Sequence, residues 1–262
     1  MSAELLPVAR EAAGIARRVI RSRAPATITA KAERDLVTDI DLAVEDEVRR
    51  FLERETPEIG ILGEESGHTG ATGGLWWALD PVDGTANFSR GIPLCGVSLA
   101  LVSGERAVVA AIDLPFLDVR YTAAEGEGAY AGEDLIAAST VHEIADAIVS
   151  IGDFAVSPGA EEKNRVRIAL LSRLGARAQR VRMLGTAAID LAWVAEGKLD
   201  ASVILANLPW DTLAGVLLVR EAGGVVLDAD GSQHTTASAA TIAVGAPLRP
   251  ALMTLLREST MD

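Results

Sequence analysis

Apolar positions at Leu5, Ala9, Ala12, Ala13, Ala16 and Ile20 recur at three- and four-residue intervals and predict an amphipathic N-terminal helix that carries Glu4 and Glu11. A second helical pattern, with Leu42, Val44, Val48, Phe51 and Leu52 on one face, covers residues 38–55 and is stopped by Pro57. Strand-like runs follow at residues 59–62 and 76–79, and the second is expected to end where Pro81 and Gly84 interrupt it. Residues 94–102 and 107–113 form an antiparallel pair around the turn Ser103-Gly104-Glu105-Arg106, with a further strand over 118–123. Beyond about residue 140 the texture changes to strands at 147–151, 201–205 and 225–227 interleaved with helices at 162–174, 186–196 and 212–222. Gly223-Gly224 supplies the C-terminal stop of the last of these helices. The pattern predicts an α/β protein in two halves, an α+β half over residues 1–142 and an α/β half over 143–262, with no Pro/Ser-rich linker between them.

Composition narrows the class. A chain of 262 residues with 49% hydrophobic content can bury a large core. Its net charge of -13, without a basic block, argues against nucleic acid or an anionic membrane as partner. The acidity itself serves solubility, or it marks carboxylates that converge to hold cations. The single cysteine, Cys95, lies in an apolar run and excludes an internal disulfide and a cysteine-rich zinc site. His68, His142 and His234 are scattered, without zinc-helix spacing, and read as surface or loop residues. No apolar run reaches membrane-spanning length, and a cytoplasmic location is expected.

Five carboxylates carry candidate chemistry. Asp80-Pro81-Val82-Asp83-Gly84-Thr85 places two of them three residues apart on a turn leaving a strand. Such a turn is otherwise a common solvated one, but Thr85-Ala86-Asn87-Phe88 can open a helix whose free N–H groups suit a phosphate. Glu64, in Gly63-Glu64-Glu65-Ser66-Gly67, follows the preceding strand. Asp211, in Pro209-Trp210-Asp211-Thr212, stands where a helix N-cap would, and Asp41 fits a capping box with Thr38, so each also has a structural use. Hard divalent cations take such oxygen donors, and a bound phosphate ester completes the shell.

Read in order, Gly63-Glu64-Glu65, Trp77-Ala78-Leu79-Asp80-Pro81-Val82-Asp83-Gly84-Thr85-Ala86-Asn87-Phe88 and Trp210-Asp211-Thr212-Leu213-Ala214-Gly215 with Glu221-Ala222-Gly223-Gly224 resemble the signatures of the inositol monophosphatase family. Asp35-Leu36-Val37-Thr38 with Asp41, and Leu184-Gly185-Thr186-Ala187-Ala188, resemble two further family segments, so the likeness spans nearly the whole chain. It implies a layered α/β/α/β/α sandwich of the inositol monophosphatase and fructose-bisphosphatase type, with the site between the halves. It further implies magnesium as cofactor, on the order of two or three ions per site. The ligands carried over are Glu64, Asp80, the Val82 carbonyl, Asp83 and Asp211, with Asp80 bridging. Asp41, Glu64 and Thr85 take the catalytic roles, Asp41 orienting the Thr85 hydroxyl that helps to deprotonate water. Asp83, Gly84, Thr85, Ala187 and Asp211 face the substrate, a small-molecule phosphate ester. Lithium sensitivity and a homodimer are expected from the resemblance alone.

Two departures bear on the alcohol part of that ester. Animal inositol monophosphatases carry a glutamate where this chain has Ile204, and a serine at the position that aligns with Asp153. An apolar Ile204 cannot accept a hydrogen bond from inositol, whereas Asp153, if it faces the cleft rather than solvent, could pair with an ammonium group. The alternatives are thus a histidinol-phosphate phosphatase or another specialised metabolite phosphatase of the family, and, from a different class, a non-catalytic metal-binding scaffold. An aspartyl-phosphate mechanism needs a D-x-D pattern, which the D-x-x-D spacing does not supply.

Overall fold

Continuous burial along the central strands and two of the helices, with one-sided burial along the outer helices, divides the chain into five layers. The computed structural model describes residues 3–22, 24–32, 35–70, 74–156 and 159–260. Helix α1 (Leu6–Ser22) leads to a hairpin, β1 (Ile28–Ala32) with β2 (Asp35–Thr38), and then to α2 (Asp39–Glu55). Next come β3 (Gly60–Gly63), β4 (Gly67–Thr69), β5 (Leu75–Asp83) and the short α3 (Thr85–Ser89). The strands β6 (Gly96–Ser103), β7 (Arg106–Leu114), β8 (Val119–Ala124), β9 (Ala129–Ala131) and β10 (Asp134–Leu135) continue the same sheet. After them stand β11 (Ile148–Ile151), α4 (Ala160–Arg177), β12 (Arg180–Arg182), α5 (Ala187–Ala195) and β13 (Ala201–Ile204). The chain ends with α6 (Pro209–Glu221), β14 (Val225–Leu227), β15 (Thr241–Val244) and α7 (Arg249–Thr260).

An eight-stranded sheet in the order β10-β9-β8-β7-β6-β5-β3-β4 is antiparallel except for the β3–β5 pair. Its two faces feed different cores, as the pleat requires. Trp77, Leu79, Leu99 and Leu101 pack under α1 and α2, while Ala78, Ala100 and Val102 face α5 and α6. The other side of α5 and α6 meets a five-stranded sheet, β12-β11-β13-β15-β14, whose far face is covered by α4 and α7. The resulting order is the α/β/α/β/α sandwich expected. Among the described residues no helix is long and apolar enough to cross a membrane.

Three local expectations are corrected. Strand β5 does not stop before Pro81 but runs to Asp83, because a bulge accommodates the proline. The helix expected from residue 212 begins at Pro209 with Leu208 as its N-cap, so Asp211 lies in the first turn and is not the cap. His234 is in a loop but buried, and burial, with the Arg220 charge beside it, lowers its pKa to about 4.

Candidate active site

The bulge in β5 makes the carboxylate pair. Asp80 sits opposite Ser98 and Asp83 opposite Gly96, so two residues of β5 face one of β6. Residues three apart on a regular strand point to opposite faces, and the extra residue cancels that inversion. Pro81 has no N–H to lose, and Val82 N–H turns back to Asp80 Oδ1 at 2.9 Å. Asp83 Oδ2 accepts from the Thr186 hydroxyl and, at 2.6 Å, from Ala188 N–H, with an Ala187 N–H bond besides. This places Asp83 on the N-terminus of α5. Burial still raises its pKa to about 6, those hydrogen bonds opposing the rise and Glu64 adding to it.

Glu64 arrives from the end of β3, where its N–H is bonded to Leu79 O at 3.1 Å. The turn beyond it is held from beneath by a buried pair on α2 that sequence reasoning missed. Glu45 accepts Glu65 and Ser66 N–H, each at 2.8 Å, and Arg49 Nε donates to Glu45 at 2.8 Å. Arg49 also reaches Thr69 and the Gly67 carbonyl. A side chain at Gly63 would fall 2.6 Å from both Glu45 and Arg49, so a larger residue there would displace that pair. The signal was available: Glu45 and Arg49 stand four residues apart beside the apolar Val44, Val48 and Leu52.

Asp211 is placed by α6, whose start is tied across the layers by Ser98 Oγ donating to the Trp210 carbonyl at 2.7 Å. The fully buried Asp80 is pushed well above the usual carboxylate range, first by burial and then by Glu64, Asp83 and Asp211. The hydrogen-bonding contact with Glu64 adds to the same rise. Among the described residues no three acidic, histidine or cysteine side chains are already drawn into a ligand shell.

Asp41 serves two ends at once. Its Oδ2 accepts from Thr38 N–H at 3.0 Å and from the Thr38 hydroxyl, closing the capping box of α2. Its Oδ1 accepts from Thr85 Oγ1 at 2.9 Å, and that hydroxyl lies equally close to the Val82 carbonyl. Burial raises Asp41 while the Thr38 and Thr85 hydrogen bonds oppose the rise. Gly84 takes φ 88°, the left-handed region, and a Cβ there would lie 2.9 Å from the Leu94 carbonyl. The helix after it, α3, is only five residues long.

Beside the carboxylates opens a cavity of about 200 Å³, at the carboxyl ends of the parallel strands β11 and β13. Asp83, Asp153, Ala187, Ile204 and Asp211 all line it, together with Asp190, which sequence reasoning missed. Ile204 is buried in its wall and Asp153 is exposed at its mouth. The chain therefore gathers the residues singled out from sequence into two joined places, the carboxylate gap and this cavity.

The sequence model of the inositol monophosphatase family matches residues 1–261. The chain belongs to the inositol monophosphatase family. Inositol-1-monophosphatase ImpA of Mycolicibacterium smegmatis is 34% identical over 225 residues, 86% of this chain and 81% of that protein. Inositol monophosphatase 1 of Solanum lycopersicum is 33% identical over 98% of this chain and 96% of its own. Among solved structures, the extragenic suppressor protein suhB from Bartonella henselae superposes with a TM-score of 0.91 at 31% identity, covering 97% of this chain and 99% of that one. This inositol monophosphatase family member is thus a phosphoric monoester hydrolase with the family fold. Family membership leaves the alcohol to be read from the chain's own cavity.

Proposed function

We propose that the chain is a magnesium-dependent phosphomonoesterase that hydrolyses a small phosphate ester, with water as the attacking group. The observation that carries this reading is the convergence of Glu64, Asp83 and Asp211 on the buried Asp80, next to the Thr85–Asp41 pair. The donor set fits the ion: carboxylates from Glu64, Asp80, Asp83 and Asp211 with the Val82 carbonyl are all hard oxygen donors. Magnesium, when bound there, supplies Lewis acidity toward phosphate oxygens and lowers the pKa of water. Thr85 Oγ1, whose proton points to Asp41 Oδ1 or Val82 O, is left with a lone pair to accept a proton from water. Asp41, buried and raised, is the group that takes up the charge change behind it. The left-handed Gly84 lets main chain approach the phosphate where a side chain would collide.

At the alcohol end, the apolar Ile204 wall and the carboxylate of Asp153 favour a substrate other than inositol 1-phosphate, among cyclitol, sugar and amino-alcohol phosphates. Phosphate release from a panel of these esters with magnesium present, read as kcat/KM, tests the reading. Turnover of at least one small monoester is expected, and inositol 1-phosphate is not expected to lead. Failure of every ester in the panel would overturn it.

A further inference from the structure

Below the cavity lies a group of buried polar atoms that the proposed hydrolysis does not use. Asp190 lines the cavity floor with only 1% of its surface exposed, and its Oδ1 has no hydrogen-bond partner among the described residues. One layer deeper, Ser150 on β11 and Ser202 on β13 face each other in register, both fully buried and both with Oγ unpartnered. Buried polar groups are almost always satisfied, because each unpaired one loses its bond to water without replacement. Of the three, only Asp190 lines the cavity, so it is the one that a polar group entering the cavity can complete.

Charge selects what that is. Burial drives Asp190 up to about 8, the nearby Ser150 hydroxyl opposing the rise and the Asp83 and Asp153 charges reinforcing it. The guanidinium that lines the same cavity, Arg167, is bonded to main-chain carbonyls instead: Asp153 O at 3.2 Å, Lys163 O at 3.0 Å and Leu205 O at 2.6 Å. Its effect is to fix the ends of β11 and β13 around the cavity. Asp190, held mainly as the neutral acid by burial, and Asp153 thus share one cavity, and an ammonium group from the ligand would favour the ionised form of Asp190.

We propose that Asp190 and Asp153 form a clamp for an ammonium group on the alcohol portion of the substrate, so that the preferred ester is an amino-alcohol phosphate. The clamp rests on the phosphomonoesterase reading. The gap between the phosphate end at Asp83 and the floor at Asp190 lies within one cavity of about 200 Å³, which suits a short spacer.

The test uses the full chain with magnesium and matched pairs of ω-amino and ω-hydroxy alkyl phosphates having two-, three- and four-carbon arms. The readout is the amine-to-hydroxyl ratio of kcat/KM, which a general loss of folded enzyme leaves unchanged. Wild type should favour the amine at one arm length by about tenfold or more. Asp190→Asn and Asp153→Asn, each close in shape to the native side chain, should each lower that ratio several-fold, mainly through KM for the amine. A wild-type ratio near one at every arm length, or a ratio that both variants leave intact, would overturn the clamp while the hydrolase reading stood. If no pair released phosphate but another ester in the wider panel did, the clamp would again fall alone. If nothing released phosphate, the hydrolase reading itself would fail.

Discussion

Single residues in this chain carry more than one duty, and that is where its chemistry can be separated from its stability. Asp41 caps α2 with one oxygen and accepts from Thr85 with the other, so its capping role and its proposed catalytic role do not compete. Removing only the hydroxyl, by Thr85→Val, should lower kcat by roughly 10²- to 10⁴-fold with KM little changed. Steady-state kinetics check this, and an undiminished kcat would mean that the pair has no part in proton transfer. Asp190 gives a prediction in stability. Its folded pKa is raised to about 8 from 3.8, so its contribution is full below the unfolded value and is lost as pH rises through that window. Asp190→Asn removes the loss, and the variant should gain thermal stability over wild type at pH 8 but not at pH 4. Melting curves at both values decide it, and an equal shift at each pH would show that the carboxyl titrates normally. Such a gain at a functional position is what a strained binding group produces.

At the scale of elements, the site depends on close approaches that leave no freedom for larger residues. Helices α5 and α6 fill the middle layer, and a Cβ on Gly215 would collide with the Leu191 side chain. Gly215→Ala should therefore destabilise the fold by about 1–3 kcal/mol, measurable as a lower urea midpoint, because overpacking forces the two helices apart. The α2 pair of Glu45 and Arg49 acts through the turn it holds rather than through substrate. Arg49→Met should raise the magnesium concentration needed for half-maximal activity while leaving Asp80 in place, and an unchanged requirement would show that Glu64 is positioned without it. Much of this was legible in the sequence. The periodicities gave α1 and α2, and the ordered carboxylate motifs marked the residues that meet in space. What was misread has a physical cause in each case. Pro81 suggests a strand end because it lacks an N–H, yet a bulge does not need one. Asp211 looks like a cap, although Pro209 one turn position earlier is the stronger start signal for a helix. Asp190 was not singled out in the sequence, although a single charge in the otherwise apolar Ala187–Ala195 was an available signal. That its Oδ1 lacks a partner could be learned only from the fold.

For the whole molecule, the layers explain why acidic groups can be buried together at all. Asp80 and Asp83 come from the eight-stranded sheet, Asp211 and the N-terminus of α5 from the middle layer, and the sandwich closes them into one desolvated place. Assembly of the layers concentrates negative charge, which opposes folding unless protons or a cation neutralise it. We propose that this charge is arranged for magnesium and that hydrolysis depends on it. The most direct measurement is phosphate release from the best monoester after exhaustive chelation, followed by a graded return of magnesium, in wild type and Asp80→Asn. Wild type should lose turnover on chelation and regain it with magnesium in a saturable way, calcium should not substitute, and Asp80→Asn should stay inactive across the titration. Full turnover in the chelated wild type, or an Asp80→Asn variant with the same magnesium response as wild type, would contradict the account.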